Sequence, residues 1–198
     1  MSAKQKVIER VVELRPTPEQ VDGPFFLPDA PFTTSAISPG DAGDVIRIRG
    51  QVLSTKGKPV AEAIVDIWLA DTKGVYDNQD AAGNAIAIPR QKYRNRIRLK
   101  TTKRGAFNFE CLRPGNYPLV GEEVDVRPGH IHAIVEAPGF EKLITQLYFQ
   151  DDFYNAHDIR RNAELFFQPE LVVHLSPALP QANTIQRGVF NFVLKPAV

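Results

Sequence analysis

The chain has 198 residues, 43% of them apolar and 24% charged, which is ordinary for a globular protein large enough to build one core. Its 24 basic and 23 acidic side chains give a formal charge of +1, so nothing suggests nucleic acid or a membrane as a partner. A single cysteine excludes an internal disulfide, and no apolar run resembles a signal peptide or a membrane span, so we expect a cytoplasmic protein.

The first 44 residues predict an appendage to the core. Apolar spacing predicts a short helix over residues 4–14, which the prolines at 16 and 18 would end. The segment DGPFFLPDAPF (22–32) then places three prolines and a glycine around three phenylalanines. We expect it to lie extended over the domain with its rings buried. The sequence thus divides into an N-terminal helix and proline-rich arm, 1–44, and a strand-rich domain, 45–198.

From residue 45 onward, eight short apolar or alternating segments are separated by turn-forming residues. In chain order they are VIRIRGQVL, AIVDIWLA, RNRIRLKT, AFNFECL, HIHAIVEA, KLITQLYF, LVVHL and GVFNFVLK. Such a series is typical of an all-β antiparallel sandwich or barrel. Cys111 and Trp68 are expected to be core residues. A later stretch, 151–166, could be helical.

Basic residues are concentrated around the third of these segments. Eight of them fall within 15 positions: Arg90, Lys92, Arg94, Arg96, Arg98, Lys100, Lys103 and Arg104. Their alternation places several on one face of a strand, where most are expected to be solvated, although one or two could reach a ligand.

Two of the four histidines, His130 and His132, lie in the motif RPGHIH at the start of a predicted strand. Residues i and i+2 of a strand share a face, so both imidazoles project in one direction, as two ligands of one metal would. The pattern also arises by chance, and the alternative is a pair of half-exposed polar side chains.

The neighbouring residues favour the metal interpretation. Arg127 lies three residues before His130, and a fixed arginine beside a metal is costly unless an anion offsets it. Tyr76 and Tyr117 follow glycines on loops that leave strands, where a phenol can turn into a cavity, although each alone could be a core residue. No carboxylate lies near the histidines in sequence to complete a two-histidine, one-carboxylate site, so phenolates are the candidate anionic ligands.

Several motifs together resemble the intradiol ring-cleavage dioxygenase family, which includes protocatechuate 3,4-dioxygenase and catechol 1,2-dioxygenase. They are TPEQVDGPFFLP, VDIWLADTKGVY, FNFECLRPGNYP and RPGHIH, followed by the glutamine segment LITQLYF. The resemblance covers residues 18 to about 195. It implies a prealbumin-like β-sandwich with long active-site loops and one Fe(III) per chain, bound by Tyr76, Tyr117, His130 and His132.

The resemblance also implies the reaction. Both atoms of O2 would enter a catechol-type substrate, and the ring would open between its hydroxyl-bearing carbons to give a cis,cis-muconate-type diacid. Tyr117 would leave the metal when substrate binds, Arg127 would stabilise charge on the substrate, and Gln146 would hydrogen-bond it. The implied substrate-binding residues are Pro24, Phe25, Gly74, Val75 and Arg127.

The substrate itself stays open among catechol, substituted catechols, hydroxyquinol and protocatechuate. Arg94 and Arg96 are the candidates to bind a substrate carboxylate. The segment 77–92 follows no family motif and is expected to border the pocket. Gly129 stands where relatives often have alanine, and it is expected to loosen the backbone beside Arg127.

Other expectations complete the prediction. With four ligands assigned, His157 and His174 are expected at the surface, and the chain is expected to form a homo-oligomer. Two alternatives stay open. Residues 45–119 also resemble a transthyretin-like repeat of metal-free binding modules, which would leave RPGHIH and Tyr76 unexplained. A ferrous extradiol dioxygenase would need a carboxylate ligand.

Overall fold

The computed structural model describes residues 13–118, 126–156, 167–177 and 185–197. The helix predicted over 4–14 lies outside these ranges except for its last two residues, which are not helical. Of the stretch 151–166, residues 151–156 are described, and 155–156 are helical. Among the described residues, no helix has the length and apolar character needed to cross a membrane.

Strands dominate the described residues. They are β1 (Val45–Ser54), β2 (Ile64–Leu69), β3 (Arg96–Lys100), β4 (Ala106–Leu112), β5 (Tyr117–Pro118), β6 (Val126–Arg127), β7 (His130–Glu136), β8 (Leu143–Phe149), β9 (Val172–Val173), β10 (Gln186–Val189) and β11 (Phe192–Leu194). Two 3-10 turns lie at Arg90–Lys92 and Pro169–Leu171. Each predicted segment contains strand residues, and the last one spans parts of both β10 and β11. The short β5 and β6 were not predicted.

The strands form two main sheets and a small ribbon. One sheet has the order β3-β2-β7-β8-β9, the other joins β10, β11 and β4 to β1, and β5 pairs with β6. The predicted antiparallel arrangement holds for most strand pairs, but β1 pairs in parallel with β10 and β11, and β8 pairs in parallel with β9. Strands β9, β10 and β11 therefore run in the same direction as the strands they pair with. The alternation of residues within a strand does not indicate that direction.

A glycine allows β1 to change partners. Residues Ile46–Arg49 pair with β10 and Val52–Ser54 pair with β11, and Gly50 lies between the two pairings. The carbonyl oxygen of Phe190 packs so closely that a Cβ on Gly50 would lie 1.6 Å from it. A larger residue therefore cannot occupy this position without displacing backbone.

The main core lies between the two sheets, which makes the fold an all-β sandwich. Its fully buried side chains come from both sheets and include Ile46, Ile48, Phe109, Cys111, Val65, Ile67, Ile131 and Leu147. A second buried cluster covers the outer face of the five-stranded sheet, where Trp68 and Ile134 pack against Phe25 and Tyr76. Strands β2 and β7 are therefore buried on both faces, which explains their nearly continuous apolar sequences.

The proline-rich arm supplies part of that second cluster. Phe25 is buried and stacks on Tyr76, with ring centroids 4.3 Å apart. Gln20 N–H donates to the carbonyl of Ile144 at 2.8 Å, which fixes the arm to β8. The prediction that every ring of the arm is buried is wrong for Phe32, which is 64% exposed at the edge of the sheet.

Candidate metal centre

The register of three strands aligns polar side chains on the outer face of the five-stranded sheet. Trp68, His132 and Gln146 are cross-strand partners on β2, β7 and β8, and His130 lies opposite Tyr148. Directly paired residues project from the same face. The predicted histidine pair and the predicted glutamine therefore belong to one surface, which the arm and loops cover.

Four donor atoms converge above this surface. His130 Nε2 lies 3.1 Å from His132 Nε2 and 3.5 Å from the Tyr117 oxygen, and His132 Nε2 lies 3.0 Å from the Tyr76 oxygen. Metal–nitrogen bonds of about 2.1 Å separate neighbouring ligands by roughly 3.0 Å at a right angle and 3.4 Å at a tetrahedral angle. The spacing of these atoms fits ligands that share one cation.

The protonation of the histidines supports the same conclusion. His130 Nδ1 lies 2.8 Å from the carbonyl oxygen of Pro128, which can only accept, so Nδ1 carries the proton and Nε2 presents its lone pair. Burial, followed by the charge of Arg127, lowers the pKa of both imidazoles well below the usual range. Both are thus neutral at pH 7, as metal ligands must be. At metal sites, the ring N–H of a ligand histidine commonly donates to a backbone carbonyl, which fixes the orientation of the ring.

The two tyrosines differ in their surroundings. Tyr76 is 2% exposed, and burial, with Tyr117 next, raises its pKa well above the usual value. Tyr76 therefore keeps its proton unless a strong positive charge lies beside its oxygen. Tyr117 is half-buried and lines a cavity.

The loops that carry the tyrosines are packed on each other. Asp71 accepts hydrogen bonds from the N–H groups of Lys73 and Val75, which shapes the loop before Tyr76. Gly74 has φ +80°, and a Cβ on it would lie 2.4 Å from the carbonyl oxygen of Asn116. Gly74 thus allows the two loops to touch.

Gly129 is held firmly in place, so the expectation that it loosens the backbone is wrong. Its N–H donates to Asn116 Oδ1 at 2.6 Å and to Asp152 Oδ2 at 3.1 Å. A Cβ would lie 2.3 Å from the carbonyl oxygen of Pro114. Position 129 is therefore a glycine because the backbone of Pro114 leaves no room for a side chain, and not because the chain must be flexible there.

Arg127 is buried beside the four donors. Its Nη2 donates to Gln146 Oε1 at 2.9 Å and to the Tyr148 hydroxyl at 3.0 Å, while Nη1 lies 3.4 Å from the Tyr117 oxygen. The Tyr148 hydroxyl donates to Gln146 Oε1 at 2.8 Å, and Gln146 Nε2 donates to Val21 O at 2.7 Å. Both ends of the Gln146 amide are thus engaged, which favours a role in holding Arg127 over the expected contact with substrate.

Tyr148 was not predicted as a site residue. It lies two residues after Gln146, so the alternation of LITQLYF places both on one face. That spacing was the available signal, but only the fold shows that the hydroxyl meets Arg127.

A cavity of about 430 Å³ opens beside the donors. Its lining includes Pro24, Phe25, Tyr117, Arg127 and His132. Part of the segment 77–92 also lines it, as expected, through Gln79, Gly83, Asn84 and Ala85. Gly74 and Val75 lie outside this lining, and Val75 is 46% exposed in a separate hollow. A larger cleft of about 770 Å³, over β1 and β4, contains none of the predicted site residues.

The two arginines proposed for a substrate carboxylate are engaged elsewhere. Arg96 is buried, forms an ion pair with Asp77, and donates to Asn78 Oδ1 at 2.9 Å and Phe25 O at 3.0 Å. It therefore joins two walls of the cavity. Arg94 is exposed and pairs with Asp41. The other basic residues of the cluster are exposed except Arg98, which is partly buried against Asp66.

The remaining candidates are placed as follows. His174 is exposed, with Nδ1 2.5 Å from Gln150 Oε1, and His157 lies outside the described residues. Within the described part of the chain, no group of three His, Cys, Asp or Glu side chains is arranged to hold a metal. A site with two histidines and one carboxylate therefore has no support among those residues.

The chain is similar to known dioxygenases. Residues 21–196 match a family model described as "Dioxygenase". The chain is 31% identical over 196 residues to chlorocatechol 1,2-dioxygenase of Rhodococcus opacus, covering 90% of this chain and 72% of that protein. It is 33% identical over 158 residues to catechol 1,2-dioxygenase of Candida albicans, covering 72% of this chain and 50% of that protein.

A solved structure covers nearly the same extent of chain. It is the dioxygenase domain of a dioxygenase carbohydrate-binding protein fusion from Streptomyces sp. SirexAA-E. The TM-score is 0.70 with 33% identity, over 92% of this chain and 100% of that one. This chain thus spans all of one bacterial domain but only part of the curated relatives.

Proposed function

This chain belongs to the intradiol ring-cleavage dioxygenase family, and from that premise we propose that it inserts both atoms of O2 into a catechol-type substrate. The ring would open between the two hydroxyl-bearing carbons and give a cis,cis-muconate-type diacid. The observation that carries the proposal is the convergence of two imidazole nitrogens and two phenol oxygens, with neighbouring atoms 3.0 to 3.5 Å apart, beside a cavity.

The proposed cofactor is one Fe(III) per chain, held by Tyr76, Tyr117, His130 and His132. Phenolates are hard, anionic donors that suit a ferric ion, and neutral imidazoles complete the set. When bound, the ferric ion would draw electron density from a catecholate and make a ring carbon reactive toward O2. Because burial raises the pKa of Tyr76, only a strongly polarising cation would remove its proton.

Tyr117 is proposed to take a proton from the incoming catechol. Its ring is half-buried and lines the cavity, whereas the ring of Tyr76 is 2% exposed. The Tyr117 oxygen also lies farther from its nearest imidazole nitrogen, at 3.5 Å against 3.0 Å for Tyr76. The more accessible phenol is the better candidate to swing away and accept a proton at its oxygen.

Arg127 is proposed to stabilise negative charge that develops on the substrate. Its guanidinium stays protonated at any working pH, and it lies 3.4 Å from the Tyr117 oxygen. Gln146 and Tyr148 would act as positioning residues that hold this guanidinium. Pro24 and Phe25 would pack on the substrate ring as rigid apolar walls.

Two organisational predictions stay proposals. We retain the division into an arm, 1–44, and a catalytic domain, 45–198. Because Phe25 lines the cavity and Gln146 Nε2 donates to Val21 O, the arm would complete the active site. We also retain a homo-oligomer, which sedimentation analysis of the purified protein would test.

The second candidate is a metal-free binding module of the prealbumin type. It would account for the sandwich and its turns. It would leave unexplained why two neutral histidine nitrogens lie 3.1 Å apart with a phenol oxygen beside each. The ferric dioxygenase accounts for that arrangement and is preferred.

The test is isotopic. Protein reconstituted with ferric iron is given catechol under 18O2, and the product is analysed by mass spectrometry. We expect cis,cis-muconate with both labelled atoms, lost in His130→Gln and kept in the matched control His174→Gln, whose side chain is exposed. A semialdehyde from cleavage beside the diol, or no turnover, would contradict the proposal.

A further inference from the structure

We propose that the cavity selects catechols whose ring substituent is uncharged and accepts a hydrogen bond, and that the side-chain amide of Gln79 is the donor that reads it. The inference rests on the proposed dioxygenase function and adds the substrate class.

The cavity offers no second cation to a carboxylate on the substrate ring. Arg127 is the one basic residue among the described residues that line it, and its guanidinium is already assigned to the charge that develops on the catechol itself. Arg94 and Arg96 are paired with aspartates outside the lining. A carboxylate on the substrate would lose its hydration here without gaining a new ion pair, which is costly.

One wall of the cavity is a small, internally bonded loop. Gln79 and Ala85 form an antiparallel bridge, and Ile86 N–H donates to Asn78 O at 2.8 Å. Within the loop, Asp80 Oδ1 accepts from the N–H groups of Ala82 at 2.9 Å and Asn84 at 2.8 Å. These bonds hold the loop in one conformation, so Gln79 belongs to a preorganised wall.

The orientation of the Gln79 amide follows from its partner. Its Oε1 accepts from the backbone N–H of Tyr76 at 3.1 Å. Because a backbone N–H can only donate, the oxygen end must face Tyr76 and the NH2 end must face away from it. Gln79 lines the cavity, and on this proposal its NH2 group is the donor offered to a ligand. A hydroxyl or ether oxygen on the substrate ring is the matching acceptor.

Three substrates separate charge, hydrogen bonding and size. 4-Methoxycatechol carries an acceptor, 4-ethylcatechol has nearly the same shape without one, and protocatechuate carries a carboxylate. For the wild-type protein we expect kcat/KM for 4-methoxycatechol to exceed that for protocatechuate by about 100-fold or more, the effect of an unpaired buried polar group. Equal or better turnover of protocatechuate would overturn the inference while leaving the dioxygenase proposal intact. Failure to cleave any of the three while catechol is cleaved would overturn the inference alone, and failure to cleave catechol as well would overturn both.

Variants then test the amide. Gln79→Glu keeps an acceptor for Tyr76 N–H and removes the donor, and Gln79→Met removes both groups at similar length. Measured above neutral pH, the ratio of kcat/KM for 4-methoxycatechol over 4-ethylcatechol should fall about tenfold in both variants. Gln51→Glu makes the same chemical change on β1, where its Nε2 donates to Arg104 O at 2.8 Å, and should leave the ratio unchanged. A ratio that falls only in Gln79→Met, or in neither variant, would show that the amide donor does not read the substituent.

Discussion

Replacing Tyr148 by phenylalanine tests the network that holds Arg127. The change removes one oxygen, which accepts from Arg127 Nη2 at 3.0 Å and donates to Gln146 Oε1 at 2.8 Å. Arg127 Nη2 still donates to Gln146 Oε1 at 2.9 Å in the variant, so both of these atoms keep a hydrogen-bond partner. A lost hydrogen bond to a charged group is worth about 1.5–3 kcal/mol, so we expect the free energy of unfolding to fall by about 2 kcal/mol.

The assay is urea unfolding of the metal-free protein, with Tyr93→Phe as the matched control. The Tyr93 hydroxyl donates to Pro28 O at 3.2 Å away from the cavity, and its loss should cost under about 0.5 kcal/mol. In the iron-loaded enzyme, Tyr148→Phe should lower kcat about tenfold with a smaller change in KM, because the guanidinium acts on charge that develops during the reaction. Equal stability losses in the two variants, together with an unchanged kcat, would refute the reasoning.

Other substitutions probe the frame around the site. Arg96→Met breaks a buried ion pair and should lower the free energy of unfolding by about 3–5 kcal/mol, whereas Arg94→Met, at an exposed pair, should cost less than about 1 kcal/mol in the same urea titration. A similar loss of stability in the Arg94 and Arg96 variants would contradict the difference in burial between the two ion pairs. Gly50→Ala should cost about 3 kcal/mol by thermal or urea unfolding, since its Cβ would meet a carbonyl oxygen at 1.6 Å, and a neutral effect would show that this strand can shift. Burial raises the pKa of Cys111, so iodoacetamide at pH 8 should label it only after unfolding, and mass spectrometry of the native protein should find it unmodified.

The strands were predictable where one face of a strand meets the core. Phe107, Phe109 and Cys111 alternate with polar residues in β4, and all three are buried, as was expected of Cys111. Alternation is a local property, so sequence alone carries it. The parallel pairing of β10 with β1 is not local, because it depends on how the chain returns after distant loops.

The site residues were predictable where short sequence motifs contain them. The spacing of His130 and His132 fixes their shared face, and the family resemblance supplied the two tyrosines. The parts that were missed depend on tertiary contacts. Tyr148 acts through a partner on another strand, and Arg96 was taken for a ligand-binding residue because its burial against Asp77 leaves no trace in the sequence.

Glycines show the same limit. Gly129 reads in sequence as a source of flexibility, yet the structure packs it against Pro114 O and bonds its N–H twice. Gly74 was expected to bind substrate, but its role in the structure is to let two loops pack against each other. In both cases the backbone that lies against the glycine decides its role, and that backbone comes from a distant part of the chain.

The central claim is that Tyr76, Tyr117, His130 and His132 hold one ferric ion. The most direct test is the visible spectrum of the metal-free protein titrated with ferric iron, with wild type compared with Tyr117→Phe. We expect an intense phenolate-to-iron charge-transfer band that saturates at one iron per chain, weakens in Tyr117→Phe, and shifts to longer wavelength when catechol is added without O2. A wild-type protein that stays colourless with iron, or a Tyr117→Phe variant with the full band, would contradict the assignment.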